Sequence, residues 1–320
     1  MMMDVDQLNE AVELLKSGDV VAAPTETVYG LFADATNDYA VQKIYQVKGR
    51  PSGNPLIIHV SGIEMAQGIA VFSEELLGLV NYFWHKAKLP LTVILPLKSS
   101  DISRFATADL DTVAIRCPSH ELSRNLIEMF GGPLAAPSAN TSNSISPTSY
   151  FMVKADIGHK IPLILDGGQC YVGIESTILD TTVEPYVILR HGRVTQSALE
   201  NYLGRRIQSA PNAYDTTVIK APGMMERHYS PKLPLRINAE YPVENEAFIA
   251  FGNSTHPYHF NLSTTGNLNE AARNLYYALK ILDNPRRYSG IAVMPIPNQD
   301  VGVGINDRLS RASCVPPYNI

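Results

Sequence analysis

The sequence predicts an α/β protein: one large mixed sheet with helices, then a linker, then a second and smaller α/β unit. Three observations carry this expectation. Short apolar runs of strand length alternate with segments of helical periodicity through most of the chain. Polar and cationic residues repeatedly stand where those apolar runs stop, and strand ends are where ligands usually sit in open α/β sheets. A proline-rich stretch with little periodicity interrupts the alternation before it resumes. At 320 residues the chain exceeds a typical domain of ~100 to 200 residues, which favours two domains. The expected boundaries are 1–207 for the first domain, 208–233 for an ordered linker and 234–320 for the small C-terminal unit.

Asp6 to Lys16 places Leu8, Val12 and Leu15 at helical spacing, and Gly18 follows as a stop. Asp19 to Ala23 is a short buried strand that runs into PTETVYGL, where Thr25, Glu26, Thr27 and Tyr29 crowd the strand end. Such groups are costly to bury unless they bond to one another or to a ligand. Ala40 to Lys48 reads as a helix that delivers the chain to VKGRPSGNPLIIH, Val47 to His59, in which Lys48 and Arg50 precede the strand Leu56 to Ile58. By itself that stretch fits an anion-aiming loop and a solvated surface loop equally well.

Helix, loop and strand repeat through Glu64 to Tyr82, Leu91 to Leu95, Thr112 to Arg116, Glu121 to Met129 and Leu134 to Ala136. The hydroxyl- and amide-rich segment Pro137 to Ser149 is too polar for core, and its composition also suits a flexible loop. Ile161 to Leu165 is a strand ending in DGG, YVGIESTILD leads to Ser176 and Thr177, and Val183 to Arg190 is a strand ending on a cation. The linker carries His228 and Tyr229 beside Arg227. Bulky groups of this kind seek contacts, so an ordered strap folding back over a ligand is expected rather than a loose tether. Beyond it come a strand, Ala247 to Phe251, a helix, Leu268 to Asp283, and a strand, Gly290 to Met294. The end, GVGINDRLSRAS, reads as a loop and a short helix.

A net charge of -5 argues against non-specific coating of nucleic acid, which rests on many Lys and Arg contacts to phosphates. Cys117, Cys170 and Cys314 form no CxxC pair, so neither a disulfide framework nor a zinc site is expected. No signal-peptide pattern opens the sequence, and no run reaches the ~18 consecutive apolar residues of a membrane span. A cytoplasmic protein without a membrane partner is expected.

The polar groups at strand and loop ends are Thr25, Lys48, Arg50, Ser52, His59, Thr112, Arg116, Ser138, Asn140, Ser146, Ser176 and Arg190. Cations with many hydroxyls and no paired acids suit a ligand rich in phosphate and carboxylate. Each charge-assisted hydrogen bond contributes roughly 1.5 to 3 kcal/mol, so three or four would hold a triphosphate. GxxxxGK[ST] and GxGxxG are both absent, so a nucleotide would bind without a P-loop or a dinucleotide fingerprint. GxSxG and HExxH are absent too, which argues against a serine hydrolase and a protein-bound metal centre. Mg²⁺, if used, would be held mainly by nucleotide phosphates and water.

Taken together and in order, PTETVYGL, KGRPSGNPL, DTVAIR, APSANTSNSISPT, DGG and GIESTILD resemble the YrdC-like family of L-threonylcarbamoyladenylate synthases. APGMMERHYSP and the C-terminal unit resemble its two-domain form. The resemblance implies a twisted mixed sheet with a concave basic cavity, a small Rossmann-like C-terminal domain, and a reaction in which L-threonine, bicarbonate and ATP give threonylcarbamoyl-AMP and pyrophosphate. It implies use of that product by a separate tRNA threonylcarbamoyl transferase making N6-threonylcarbamoyladenosine, with direct tRNA binding possible but not required. The family's KxR and SxN patterns fall on Lys48, Arg50, Ser138 and Asn140 as catalytic residues. Thr25, His59, Arg116 and Ser176 would hold threonine, while Lys48, Ser52, Thr112, Ser138, Ser146, Arg190 and Tyr229 would hold ATP.

The chain departs from the family pattern in three places. Trp84 to Thr92 replaces Trp-Pro-Gly-Pro-Leu-Thr, leaving that loop open. Asn143 replaces a glycine and is expected to take left-handed angles. His191 replaces a proline, which would loosen Arg190. Two rivals stand beside this reading. An RNA-binding module with a basic concave surface lacks support from the acidic balance and from any aromatic stacking signature. A carbamoyl-transferring domain of hydrogenase maturation, which resembles the same fold, would need Cys-rich zinc segments.

Overall fold

A computed structural model describes residues 5–210, 219–223 and 228–313 of the chain. Arg227 and Cys314 lie outside the described residues. The first unit opens with α1 (Val5–Lys16), β1 (Val21–Pro24), β2 (Tyr29–Asp34), α2 (Asp38–Lys48) and β3 (Ile57–His59). It continues with α3 (Ile63–Ile69), α4 (Glu74–Val80), β4 (Leu91–Pro96), α5 (Arg104–Thr107), β5 (Thr112–Arg116) and α6 (Glu121–Phe130). Then follow β6 (Leu134–Ala135), α7 (Tyr150–Asp156), β7 (Leu163–Ile164), β8 (Thr177–Asp180), β9 (Val187–Arg190), α8 (Gln196–Leu203) and β10 (Gln208–Ser209). The strands form one mixed sheet in the order β10-β9-β8-β4-β5-β3-β6-β2-β1-β7.

The second unit comprises β11 (Leu235–Arg236), β12 (Glu246–Ala250), β13 (Phe260–Asn261), α9 (Leu268–Leu282), β14 (Gly290–Val293) and α10 (Val301–Ser313). Its sheet runs β11-β14-β12-β13 with every pairing parallel, as in a Rossmann-like unit. The two units share a core. Val28, Val172 and Ile174 of the first pack with Leu275, Tyr276 and Ile305 of the second and with Tyr229 of the linker. Contact is close enough to demand glycine at position 173, where a Cβ would lie 2.3 Å from the Arg273 Cα and where φ is +85°.

The elements differ from the sequence expectation in specific places. The helix expected over Glu64 to Tyr82 is divided, because Ala70 leaves it to bridge Leu97 and Ser73 caps a new helix by accepting from the Leu76 N–H. Helices α7 and α8 were not expected. The strand expected from Val183 begins only at Val187. The sheet also reaches into the segment expected as linker, since Gln208 and Ser209 pair with β9. The largest difference is α10, a helix of 13 residues where a loop and a short helix were expected. Its glycines are packing positions: a Cβ on Gly302 would lie 2.0 Å from Pro297 O, and one on Gly304 would lie 3.3 Å from the Gly192 Cα. Sequence cannot distinguish such glycines from loop glycines.

Candidate active site

Strand register builds the first wall. The parallel pair β3 and β5 sets His59 beside Arg116 at their C-terminal ends. Arg116 is buried, and its Nη2 donates to Glu26 Oε1 at 2.6 Å, Thr27 Oγ1 at 2.9 Å and Thr25 Oγ1 at 3.4 Å. The polar crowd in PTETVYGL is thereby explained. Thr25 and Thr27 bond to each other, and Glu26 neutralises the guanidinium from behind while accepting the Ser119 N–H. Arg116 Nε has no hydrogen-bond partner among the described residues. His59 Nδ1 lies 3.1 Å from Ile57 O, so it carries the proton and Nε2 is left with a lone pair. Burial, and then the nearby Arg116, hold its pKa down to about 3, so the ring stays neutral at physiological pH.

Arg190, at the end of β9, forms the second wall. Its Nε donates to Ser176 O, its Nη2 to Ser176 Oγ and its Nη1 to Pro222 O, at 3.0, 3.0 and 3.3 Å. The linker is therefore fastened directly to this arginine. Gly223 takes φ +85° there, and a Cβ on it would lie 2.6 Å from the Tyr229 hydroxyl. Arg50 completes the cationic set. Its Nε and Nη2 donate to Asn54 O and Pro55 O within its own loop, and burial draws its pKa down to about 10.

These groups enclose one cavity. Thr25, His59, Arg116, Arg50, Ser138 and Arg190 all line it, and so do Pro222, Gly223, His228 and Tyr229 of the linker. The strap expected over the ligand is thus in contact with the cavity. The remaining free space is about 40 Å³, room for a few waters but not for a nucleotide. The His228 and Tyr229 rings lie 4.0 Å apart, and burial lowers the His228 pKa to about 3.

Other residues singled out by sequence stand elsewhere. Lys48 does not line the cavity: it is fully buried behind the wall, and its Nζ donates to Ser138 O at 2.5 Å and Asn140 O at 2.6 Å. With both bonds to that segment, the amino group pins the SxN loop. Asn140 turns its Nδ2 onto Thr141 O and Ser144 O, away from the cavity. Ser52 is exposed in a turn. Ser176 sits one hydrogen bond behind the cavity, tied to Arg190 and to Thr92 Oγ1 at 2.7 Å. Ser146 is buried, and its hydroxyl acts on the Glu175 carboxyl, without a partner of full hydrogen-bond geometry among the described residues. Thr112 shares a strand face with Arg116 but lies at the other end of β5, roughly 13 Å away.

Sequence reasoning missed Glu175 as a cavity residue. It is buried, lines the cavity, and is the one carboxylate among the described lining residues. Burial pushes its pKa up, but Arg308 and Arg190 outweigh that and bring it down to about 2. An acid inside the apolar, glycine-bounded run YVGIESTILD was the available signal.

Comparison with known proteins bears on this arrangement. A family model described as telomere recombination, covering the Sua5, YciO and YrdC proteins, matches residues 13–192. A second, described as the C-terminal domain of threonylcarbamoyl-AMP synthase, matches residues 194–314. A threonylcarbamoyl-AMP synthase of Pyrococcus abyssi is 36% identical, over 95% of this chain and 93% of that protein. The chain belongs to the threonylcarbamoyl-AMP synthase family. A Bacillus subtilis member is likewise 36% identical, over 96% of this chain and 93% of its own. The crystal structure of P. abyssi Sua5 complexed with L-threonine superposes with a TM-score of 0.89 at 35% identity, covering 98% of this chain and 96% of that one.

The departures from the threonylcarbamoyl-AMP synthase pattern have structural answers. The altered segment Trp84 to Thr92 begins in a π-helical turn, Asn81–Lys86, and runs into β4, with Trp84 buried and its Nε1 donating to Leu91 O. Asn143 takes φ +67°, as expected. The expectation that His191 loosens Arg190 is not met. His191 bonds Ser209 Oγ through Nε2 and offers its carbonyl to Arg308 at 2.7 Å, so Arg190 stays buried with every bond above intact.

Proposed function

We propose that this cavity condenses L-threonine, bicarbonate and ATP into threonylcarbamoyl-AMP and pyrophosphate. The observation that carries the reading is the convergence of Thr25, His59 and Arg116 with Arg50, Ser138 and Arg190 beneath Tyr229, from elements far apart in the chain. Threonine and ATP are the substrates. Arg116 and Thr25 suit the amino acid's carboxylate, and the neutral His59 offers an acceptor lone pair to its hydroxyl or amine. Arg190 and Arg50 suit phosphate oxygens, with the Ser138 loop placed by Lys48.

Carboxylation of the amine by bicarbonate releases water and gives a carbamate, whose oxygen attacks the α-phosphorus while pyrophosphate leaves. Holding three substrates in line supplies most of the acceleration, and fixed cations stabilise charge growing on the leaving group. Closed again over its substrates, the cavity would keep bulk water from the carbamate. Because ATP does not fit in about 40 Å³, the reading requires His228 and Tyr229 to move aside on entry and to return over the nucleotide. Among the described residues no cluster of three His, Cys, Asp or Glu stands together. Mg²⁺ arriving with ATP would supply charge neutralisation at the pyrophosphate, held mainly by phosphates and water.

The reading places the product upstream of a separate tRNA threonylcarbamoyl transferase, in the cytoplasm. Among the described residues no helix is long and apolar enough to cross a membrane. An RNA-binding module is disfavoured because Lys48, Arg50, Arg116 and Arg190 are all buried and cannot grip a polymer backbone.

Pyrophosphate release from ATP tests the reading. It is expected to rise at least ~10-fold with threonine and bicarbonate together, a 1.4 kcal/mol effect on the barrier. Release indifferent to threonine would overturn it. Tyr229→Ala is expected to raise the ATP KM about 10-fold, while a wild-type KM would remove the linker from the nucleotide site. This point change is cleaner than truncation near residue 208, which would also strip the shared core.

A further inference from the structure

Glu175 is held from outside its own domain. Arg308 of α10 donates from Nε to Glu175 Oε2 at 2.9 Å and from Nη2 to Glu175 O at 3.4 Å. Tyr276 of α9 donates its hydroxyl to the same Oε2 at 2.9 Å. Among the described residues Oε1 is buried without a partner of full hydrogen-bond geometry; the Ser146 hydroxyl beside it helps hold the carboxyl pKa down, and the residue lines the cavity. A carboxylate serving only to join two domains would have both oxygens engaged, since a buried unpaired acceptor is costly. The same residues seat the strap: the Arg308 guanidinium lies 5.3 Å from the centroid of the Tyr229 ring, and Tyr229 stacks on Tyr276 at 5.8 Å. Gly304, one turn before Arg308, lets α10 approach Gly192 closely enough for this reach.

We propose that Arg308 and Tyr276 are positioning residues for the reaction, holding Glu175 with Oε1 turned to the cavity as an acceptor for a substrate N–H or O–H and holding Tyr229 at the roof. The C-terminal unit is on this account a working part of the active site, a role that rests on the function proposed above.

The pH behaviour distinguishes this from simple scaffolding. Glu175 faces Arg190 on β9, Ser146 on its loop, Arg308 beside Asp307 on α10, Tyr276 on α9, and His228 and Tyr229 of the linker. In the wild type it stays ionised down to about pH 2, and His59 and His228 are neutral above about 3, so none of them gives an acid limb near neutrality. Removing the Arg308 charge and its hydrogen bond leaves burial opposed by Arg190 and Ser146 alone, which pushes the Glu175 pKa up.

The test measures kcat and ATP KM of threonine-dependent pyrophosphate release in the full chain across pH. Arg308→Met is expected to move the acid limb to higher pH than in the wild type, Arg308→Lys to reverse most of that shift, and Glu175→Gln added to Arg308→Met to abolish the limb. Tyr276→Phe, which keeps the ring stack but loses a bond to a buried carboxylate, is expected to raise the ATP KM about 3-fold with a modest fall in Tm. It carries the test should Arg308→Met not fold. Arg236→Gln serves as control: it breaks the Arg236–Glu246 pair elsewhere in the same unit and is expected to lower Tm without moving the limb. A flat pH profile in Arg308→Met, or a wild-type ATP KM in Tyr276→Phe, overturns the inference while leaving the function standing. A wild-type chain without threonine-dependent release overturns the function and the inference with it.

Discussion

Arg116→Ala is expected to abolish threonine-dependent pyrophosphate release and to destabilise the fold by ~3 to 5 kcal/mol, because it strips a buried carboxylate of its counter-charge. The Glu26 carboxylate is fully buried and, among the described residues, would keep only the Ser119 N–H. Thr25 and Thr27 would lose the donor that fixes them beside the cavity. Stability and chemistry can be separated with a second change. Glu26→Gln in the Arg116→Ala background should recover much of the stability, since the unpaired charge is gone, and recover none of the activity. Denaturant midpoints and pyrophosphate release measure both. An Arg116→Ala protein that still responds to threonine would remove this arginine from the amino-acid site.

Lys48→Ala is expected to cut turnover at least ~100-fold, or about 2.7 kcal/mol of barrier, and also to cost about 2 to 4 kcal/mol of stability. Sequence reasoning expects the first effect with the fold intact, because it sees a basic residue in a loop and aims it at phosphates. The structure adds the second. The Lys48 amino group is bonded to two carbonyls of the loop that carries Ser138, and its loss leaves Ser138 O with the Asn140 N–H alone and takes from the buried Asn140 O its side-chain donor. Burial, reinforced by Arg50, lowers the Lys48 pKa well below the usual lysine range. Its folded state therefore holds fewer protons than the unfolded chain between that lowered pKa and the ordinary value. Across that window wild-type stability should climb with pH, and Lys48→Ala should lose the slope. A variant with wild-type stability and no pH effect would contradict the pinning role.

Much of the cavity is legible in the sequence because a charge that ends an apolar run leaves few alternatives. Arg116, Arg190 and His59 are of this kind, and the strand register puts two of them side by side. The strands themselves follow from apolar runs too short for helices. The direction of Lys48 is not legible, since nothing local says whether a lysine at a helix end turns to a cavity or to carbonyls about 90 residues later in the chain. Glu175 is hidden for the same reason, as its partners Tyr276 and Arg308 are more than 100 residues away. Gly302 and Gly304 mislead outright: composition reads them as loop, whereas close helix packing is what requires them. The division of the helix at Ala70 depends on a bridge to Leu97, a tertiary choice that overrides helical periodicity.

The most direct measurement is mass detection of the adenylate formed from ATP, L-threonine and ¹³C-labelled bicarbonate, with each substrate omitted in turn. The account predicts threonylcarbamoyl-AMP carrying the heavy carbon, formed only when all three are present. Formation of an unlabelled threonine adenylate, or of AMP and pyrophosphate without threonine, would contradict it.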